Sequence, residues 1–145
     1  SQSDSLVNLD IRFLVHLVGD MHCPVHIDFH ISRPLRVQVE GKEMKFHAMW
    51  DGYVITNRHT GCSPIQLATE LDTYSPEQIA AVQQGDPMSW FHETVPAAQR
   101  ALAMVPEDKV LTPENYFNEA VVIAEERMTA AGYRLAAILN SIFDK

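Results

Sequence analysis

The amino-acid sequence predicts an all-α protein, a helical bundle with one small β-hairpin, forming a single domain over residues 1–145. Two apolar segments with helical periodicity lie near the ends of the chain, four helix starts of one kind lie between them, and only one short segment alternates like a strand. With 145 residues, 46% of them hydrophobic, the chain is long and apolar enough to form a core.

The first helix is predicted over residues 5–21. Its apolar stripe consists of Leu14, Leu17, Val18 and Met21, and it is widened towards full burial by Leu6, Ile11, Phe13 and Val15. His16 and Asp20 therefore lie in a largely apolar element, where unpaired polar groups are costly, so we expect them to have partners. Pro24 ends the helix and turns the chain.

A small hairpin is predicted over residues 35–48. Apolar residues alternate at Leu35, Val37 and Val39, and the turn Glu40-Gly41-Lys42 follows. The second strand delivers His47 to the next helix, which we expect over about 47–57.

The remaining helices are marked by four dipeptides that each place a capping oxygen before a proline suited to the first helical turn. These dipeptides are Ser63-Pro64, Ser75-Pro76, Asp86-Pro87 and Thr112-Pro113. Ser75 and Gln78 also match a capping box, and Gly85 is expected to close that helix. Pro96 is expected to kink the helix starting near residue 86, and the last helix is predicted over about 113–142.

The net charge of −8 argues against a basic platform that binds nucleic acid by neutralising phosphates. It does not exclude a nuclease, because bound divalent cations reverse the local sign of charge. The sequence contains no run of 18 apolar residues, so no transmembrane helix is predicted.

Two histidine–aspartate pairs with the same spacing are the strongest functional signal. His16 and Asp20 are four residues apart, as are His47 and Asp51, and His26 follows the proline turn between them. Residues i and i+4 project from one face of a helix, so each pair can grip one metal ion. Nitrogen and carboxylate donors in this number predict a multi-zinc site. The alternative for either pair alone is a structural His–Asp hydrogen bond.

Other candidate residues carry weaker signals. His22 lies off the ligand face, which favours a supporting or structural role, and Trp50 is expected to pack in the core. His30, His59 and His92 have no partners at metal spacing and are taken as surface or core residues. Cys23 is compatible either with metal binding or with half of a disulfide.

The stretch Phe13–His26 resembles the metal-binding core of the zinc-dependent, single-strand-specific nuclease and 3′-nucleotidase family, whose fungal members are the S1 and P1 nucleases. The later motif Phe46–Asp51 is similar to the family's L-H-x-x-W-D pattern. Ser89–Thr94 and the tail Ala131–Asn140 also resemble family segments. The resemblance covers the whole chain but only the C-terminal portion of a family member.

This resemblance implies a helical fold of the phospholipase C and P1 nuclease type, with three zinc ions in an intact member. It implies that His16 binds the first zinc and that Asp20, the catalytic carboxylate, is shared between the first and third. His26, His47 and Asp51 are implied ligands of the second. The implied reaction is hydrolysis of 3′-O–P bonds in single-stranded DNA or RNA, or in 3′-nucleotides.

The chain departs from the family pattern because no histidine precedes His16 and the first residue is Ser1, where family members have a zinc-binding tryptophan. Five donors cannot close three zinc sites. We therefore expect a C-terminal fragment that is inactive alone and that partners with the missing N-terminal part. The resemblance also implies a secreted or cell-surface protein, in which Cys23 and Cys62 are able to form a disulfide with each other or with cysteines elsewhere.

Three alternatives remain open at this point. A related zinc-dependent phospholipase C shares the helical type, although the tryptophan and aspartate after His47 fit the nuclease better. A non-catalytic zinc-binding helical protein would use the same donors in a closed structural site. A degenerate homologue would leave its sites empty.

Overall fold

The computed structural model describes residues 4–143, apart from the Phe29 side chain. It is mostly helical with one small sheet, as predicted. Within that range the helices are α1 (Asp4–His22), α2 (Pro24–Ile27), α3 (Phe29–Ser32), α4 (Phe46–Ala48), α5 (Val54–Arg58), α6 (Pro64–Leu71), α7 (Pro76–Val82), α8 (Pro87–Ala103) and α9 (Asn118–Phe143). Two π-helical turns, Met49–Tyr53 and Pro113–Phe117, join α4 to α5 and lead into α9.

Helix α1 confirms the predicted first helix, but its expected burial is wrong. Only Val18 and His22 are buried, because α1 packs through one side against α8 and α9. Several of the apolar residues expected to be buried are exposed, namely Leu6, Phe13, Val15 and Leu17. Leu17, one of the four residues of the predicted apolar stripe, is itself exposed, and no described residue covers that side of the helix.

The predicted hairpin is present as β1 (Arg36–Val39) and β2 (Lys42–Lys45), paired antiparallel with Val37 opposite Met44. Its turn needs positive φ at both central residues, 50° at Glu40 and 75° at Gly41, which is the geometry of a two-residue hairpin loop. A third strand, β3 (Val110–Leu111), was not predicted and pairs parallel with β1. The sheet order is therefore β2-β1-β3.

All four predicted helix starts are confirmed, and each forms a complete capping box. The side chains of Ser63, Ser75, Asp86 and Thr112 each accept from the backbone N–H three residues on. Helix α7 ends at Val82, and Gly85 occupies the following turn with φ of 91°. Helix α8 continues through Pro96 to Ala103.

The core lies between the sheet, the α4–α5 region and the first half of α9. Trp50 packs there, as expected, and its indole N–H donates to the Tyr116 hydroxyl at 2.8 Å. Tyr116 in turn donates to the carbonyl of Ala101 on α8 at 2.9 Å. These satisfied polar contacts fix the helix that carries His47 and Asp51.

A buried arginine joins four helices behind α1. Arg134 of α9 donates to His22 of α1, to the carbonyl of Val82 at the end of α7 and to Glu93 of α8. Its guanidinium also lies 5.1 Å from the ring centroid of Trp90. This network ties the segments around Trp90 and Arg134 to the end of α1.

None of the helices in residues 4–143 combines the length and apolarity that crossing a membrane requires.

Candidate metal centre

The five residues predicted as metal ligands lie together in one row. His16 Nε2 is 3.2 Å from Asp20 Oδ2, and Asp20 Oδ1 is 3.3 Å from His26 Nδ1. His26 Nε2 is 3.3 Å from Asp51 Oδ1, and Asp51 Oδ2 is 3.6 Å from His47 Nε2. Each carboxylate therefore lies between two imidazoles. Their role as metal ligands stays a prediction.

The distances between these nitrogen and oxygen atoms bear on whether the five residues can bind a metal ion. Good N–H···O hydrogen bonds cluster near 2.9 Å, whereas these four contacts span 3.2 to 3.6 Å. Nitrogen and oxygen ligands about 2.0–2.1 Å from a tetrahedral zinc ion stand about 3.3 Å from each other. Separations of this size are compatible with ligands around a shared zinc ion as well as with long hydrogen bonds.

The end of α1 places Asp20 and His26 against each other. The chain turns immediately after His22, with the Cys23 N–H bonded to the Asp20 carbonyl at 3.1 Å. Pro24 starts α2 at its first position, and the His26 N–H closes the turn onto the Cys23 carbonyl at 3.1 Å. Since Pro24 and the neighbouring Val25 are buried, α2 is anchored and His26 is directed back to α1.

The second pair is placed by the irregular helix after the hairpin. Phe46 is fully buried, and its N–H bonds to the Leu35 carbonyl at 3.0 Å, which fixes the start of α4. Met49 and Trp50 are buried within the same turn and anchor it to the core. Asp51 lies within the π-helical turn, a feature that is frequent at functional sites.

Neighbouring groups orient the two imidazoles nearest Asp51. The Ser32 hydroxyl donates to the Val25 carbonyl at 2.7 Å and lies 3.4 Å from His47 Nδ1. Because its proton is engaged, the Ser32 oxygen is left to accept from Nδ1–H, which leaves the Nε2 lone pair of His47 directed at Asp51. The His26 and His47 rings stack in parallel with centroids 4.8 Å apart.

A cavity of about 430 Å³ opens beside the row and is lined by Asp20, His26 and Asp51. Arg127 of α9 also lines it, and its Nη1 is buried without a hydrogen-bond partner among the described residues. A buried guanidinium nitrogen of this kind calls for an explanation. Arg127 and Ser32 were missed by sequence reasoning, since both reach the site through tertiary packing and neither has a recognisable spacing.

Cys23 is a further neighbour, with its sulfur close enough to His26 and Asp51 to share a cation with them. Burial raises the pKa of its thiol from 9.0 to about 11, and the charges of Asp51 and Asp20 add to that rise. The thiolate is the metal-binding form, so histidines and carboxylates remain the favoured donors. Cys23 and Cys62 are both free thiols in this structure.

His22 has a structural role, in line with its expected position off the ligand face. Its Nδ1–H donates to the Val18 carbonyl at 2.7 Å, and Nε2 accepts from Arg134 Nη1 at 2.9 Å. Burial lowers the pKa of His22 below 6.5, and the adjacent Arg134 lowers it further, against the raising effect of the Val18 bond. The neutral ring is the one that can accept from Arg134.

A family model described as S1/P1 nuclease matches residues 1–144. The chain is 26% identical to endonuclease 4 of Arabidopsis thaliana over 97% of its own length and 54% of that protein. It is 25% identical to nuclease S1 of Aspergillus oryzae, covering 91% of this chain and 53% of the relative. It is 24% identical to nuclease P1 of Penicillium citrinum, covering 91% and 57% respectively.

The chain thus spans about half the length of the curated relatives it matches. No solved structure matches it at a significant level. The match of the family model over almost the whole chain agrees with the motifs at His16–His26 and His47–Asp51. This chain belongs to the S1/P1 nuclease family.

Proposed function

We propose that the protein to which this chain belongs is a zinc-dependent nuclease and 3′-nucleotidase. It would hydrolyse 3′-O–P bonds of single-stranded DNA or RNA and of 3′-nucleotides. The observation that supports this most directly is the unbroken row from His16 to His47, with four nitrogen–oxygen separations of 3.2 to 3.6 Å. Family membership supports the same reaction class.

Two zinc positions suit the donors present. His26, His47 and Asp51 would hold one ion, while His16 and Asp20 would contribute to a second, and Asp20 is the carboxylate able to bridge ions. Zinc bound there would supply positive charge to stabilise phosphoryl oxygens and would lower the pKa of a bound water.

The chain's own groups would position the substrate around these ions. Asp20 would hold the ring of His26 through Nδ1 while Nε2 faces Asp51, an arrangement that fixes the tautomer of a metal-binding histidine. Arg127, which lines the cavity, would bring its positive charge close to a phosphate group bound there. The apolar side of the cavity, formed by Ile55, Ala124 and Met128, would contact a nucleobase or ribose.

The five donors do not complete three zinc sites of about four ligands each. We propose that the remaining ligands come from a part of the protein outside these 145 residues, so that this chain is a single domain forming the C-terminal portion of a longer nuclease. The coverage of only 53 to 57% of the relatives' length supports this. The 145-residue chain alone should then have little nuclease activity.

A zinc titration of the chain tests the donor set. Asp20→Asn and Asp51→Asn preserve side-chain size and should each lower zinc affinity by more than about 100-fold, which is the upper limit for groups that only support ligands. Asp10→Asn, an exposed substitution on the same helix as Asp20, is the matched control and should bind like the unaltered chain. Equal zinc affinities in all three variants would contradict the proposed site.

Activity of the intact protein tests the substrate class. Single-stranded oligonucleotides and adenosine 3′-monophosphate should be hydrolysed, and chelation should abolish the reaction. Hydrolysis of phosphatidylcholine with no action on the nucleotide would favour the related phospholipase C. Zinc binding without hydrolysis of either substrate would favour a non-catalytic zinc-binding protein.

We also propose that the protein is secreted or lies at the cell surface, which the family resemblance supports. Detection of the protein in culture medium or on intact cells is the test. Retention of all the protein inside the cell would contradict it.

A further inference from the structure

We propose that the chain holds a second, independent zinc site, built from His59, Cys62 and Glu70 and supported by Glu125. It lies at the junction of α5, α6 and α9, and it shares no residue with the row from His16 to His47. It does not depend on the proposed nuclease function.

A tight turn brings the first two donors together. His59 directly follows α5, and the Cys62 N–H bonds to the His59 carbonyl at 3.0 Å, which closes a four-residue turn. Gly61 adopts φ of 83° in this turn, a conformation that favours glycine. The turn therefore presents an imidazole and a thiol side by side, three residues apart.

The third donor comes from the next helix. Ser63 caps α6, which fixes that helix directly after Cys62, and Glu70 lies in its last turn. Glu70 Oε2 is 3.4 Å from His59 Nδ1, and Glu70 Oε1 is 3.9 Å from Cys62 Sγ. One ligand atom from each of the three residues lies within 4.8 Å of the others.

These separations are close to those between the ligands of a tetrahedral zinc ion, so a small adjustment of the exposed Glu70 side chain would let all three groups bind one ion. Zinc–ligand bonds of about 2.0 Å to nitrogen or oxygen and about 2.3 Å to sulfur place N and O about 3.3 Å apart, and S and O about 3.6 Å apart. One imidazole, one thiolate and one carboxylate also balance the charge of a divalent cation. Zinc accepts this mixed donor set, and water would take the fourth position.

Glu125 supplies the support expected of a metal-binding histidine. Its Oε1 accepts a hydrogen bond from His59 Nε2 at 2.7 Å, far shorter than the contact on the other ring nitrogen. A proton held on Nε2 leaves the Nδ1 lone pair directed at Glu70 and Cys62. The His59 side chain is only 14% exposed, while Glu70 is 53% exposed, so an ion can enter from the Glu70 side.

The sequence analysis gave His59 no partners at metal spacing, whereas the structure places Cys62, Glu70 and Glu125 beside it. The spacing of His59 and Cys62 can be seen in the sequence. Glu125 lies 66 residues after His59, and no local sequence pattern predicts that the two side chains meet. The alternative structural reading is a protonated His59 bridging Glu70 and Glu125 without any metal.

Cobalt titration of the 145-residue chain separates these readings. Cobalt replaces zinc in tetrahedral sites, and a thiolate ligand adds a sulfur-to-metal charge-transfer band in the near ultraviolet. Because Cys23 also lies beside candidate ligands, His26 and Asp51, the Cys23→Ser chain is the reference, in which Cys62 is the remaining thiol. We expect the band in this reference chain and its complete loss when Cys62→Ser is added.

Two further variants sharpen the test. Glu70→Gln should lower the cobalt affinity measured from the intensity of this band. Glu125→Gln should lower that affinity by about 10- to 100-fold and leave the shape of the band unchanged. Far-ultraviolet circular dichroism checks that each variant folds, and Cys62 is exposed, so Cys62→Ser carries little risk of unfolding. Absence of the band in the Cys23→Ser chain, or its persistence after Cys62→Ser is added, would overturn the proposal.

Discussion

Arg134 on α9 donates through Nη1 to Nε2 of His22 on α1, 2.9 Å away, although 112 residues separate them. Arg134 is only 2% exposed, and its other nitrogens bond the Val82 carbonyl and Glu93. One guanidinium thereby holds α1 at the position where Asp20 meets His26. The contact thus anchors the end of α1 that carries Asp20 in the candidate metal centre.

Replacing the buried Arg134 should lower the free energy of unfolding more than replacing an exposed arginine does. Arg134→Met leaves His22, Glu93 and a buried carbonyl without their donor, and we expect a loss of about 3 kcal/mol in the free energy of unfolding. Urea denaturation at neutral pH measures it. Arg100→Met is the control, because the Arg100–Glu119 ion pair is exposed and should contribute less than about 1 kcal/mol. Similar losses in both variants would contradict the network.

Acid should destabilise the chain through His22. Its folded pKa lies below 6.5 because of burial, whereas the unfolded chain takes up a proton near 6.5. The unfolded state thus binds more protons in this range, so the free energy of unfolding is at its full value above pH 6.5 and falls as pH drops below it. His22→Asn should show a shallower fall than the unaltered chain, measured with chelator present, while exposed His92→Asn should match the unaltered chain.

Ser32 should tune metal binding without being a ligand. Ser32→Ala removes the oxygen that faces His47 Nδ1, and we expect zinc affinity to fall about 10-fold as the ring loses its orientation. Isothermal titration measures the change. Ser141→Ala removes an exposed hydroxyl that bonds only within α9, and it should leave zinc affinity unchanged. An unaltered affinity in Ser32→Ala would show that His47 is held by other contacts.

The two thiols should differ in reactivity. At the raised pKa of about 11, Cys23 has about 100-fold less thiolate than at its usual value of 9.0, and it is partly buried. Exposed Cys62 should therefore be alkylated first at mildly basic pH, as peptide mass mapping would record. Added zinc should slow the alkylation of Cys62. Faster modification of Cys23 would contradict the burial seen here.

Arg127 should affect substrate binding in the proposed full-length nuclease. Arg127→Met is expected to raise KM for a 3′-nucleotide about 10-fold, because a cation at the cavity wall is lost, while Arg127→Lys should recover part of that loss. Steady-state kinetics on both variants measures the split between KM and kcat. An unchanged KM in Arg127→Met would mean that phosphate does not reach this wall.

Most of the features that could be predicted from the sequence depend on contacts between residues close together in the chain. The capped helices beginning after Ser63, Ser75, Asp86 and Thr112 follow from contacts within one turn, and they form as expected. The gathering of His16, Asp20, His26, His47 and Asp51 was also expected, since short spacings and one proline turn decide most of it.

What escaped prediction depends on distant parts of the chain. Strand β3 has only two residues and gains its identity by pairing with β1, which precedes it by some 70 positions. Glu125 reaches His59, and Arg134 reaches His22, only after the helices have packed. The burial of α1 was overestimated because periodicity identifies an apolar side but not whether anything lies against it.

The uncovered side of α1 has a practical consequence. Leu6, Leu9, Phe13 and Leu17 follow one another at intervals of three and four residues, and each is about half exposed to water. An exposed apolar ridge of this kind favours self-association. Analytical ultracentrifugation should therefore detect oligomers whose fraction rises with protein concentration and falls in mild detergent. Replacing Phe13 and Leu17 by glutamate should then keep the chain monomeric at the same concentrations.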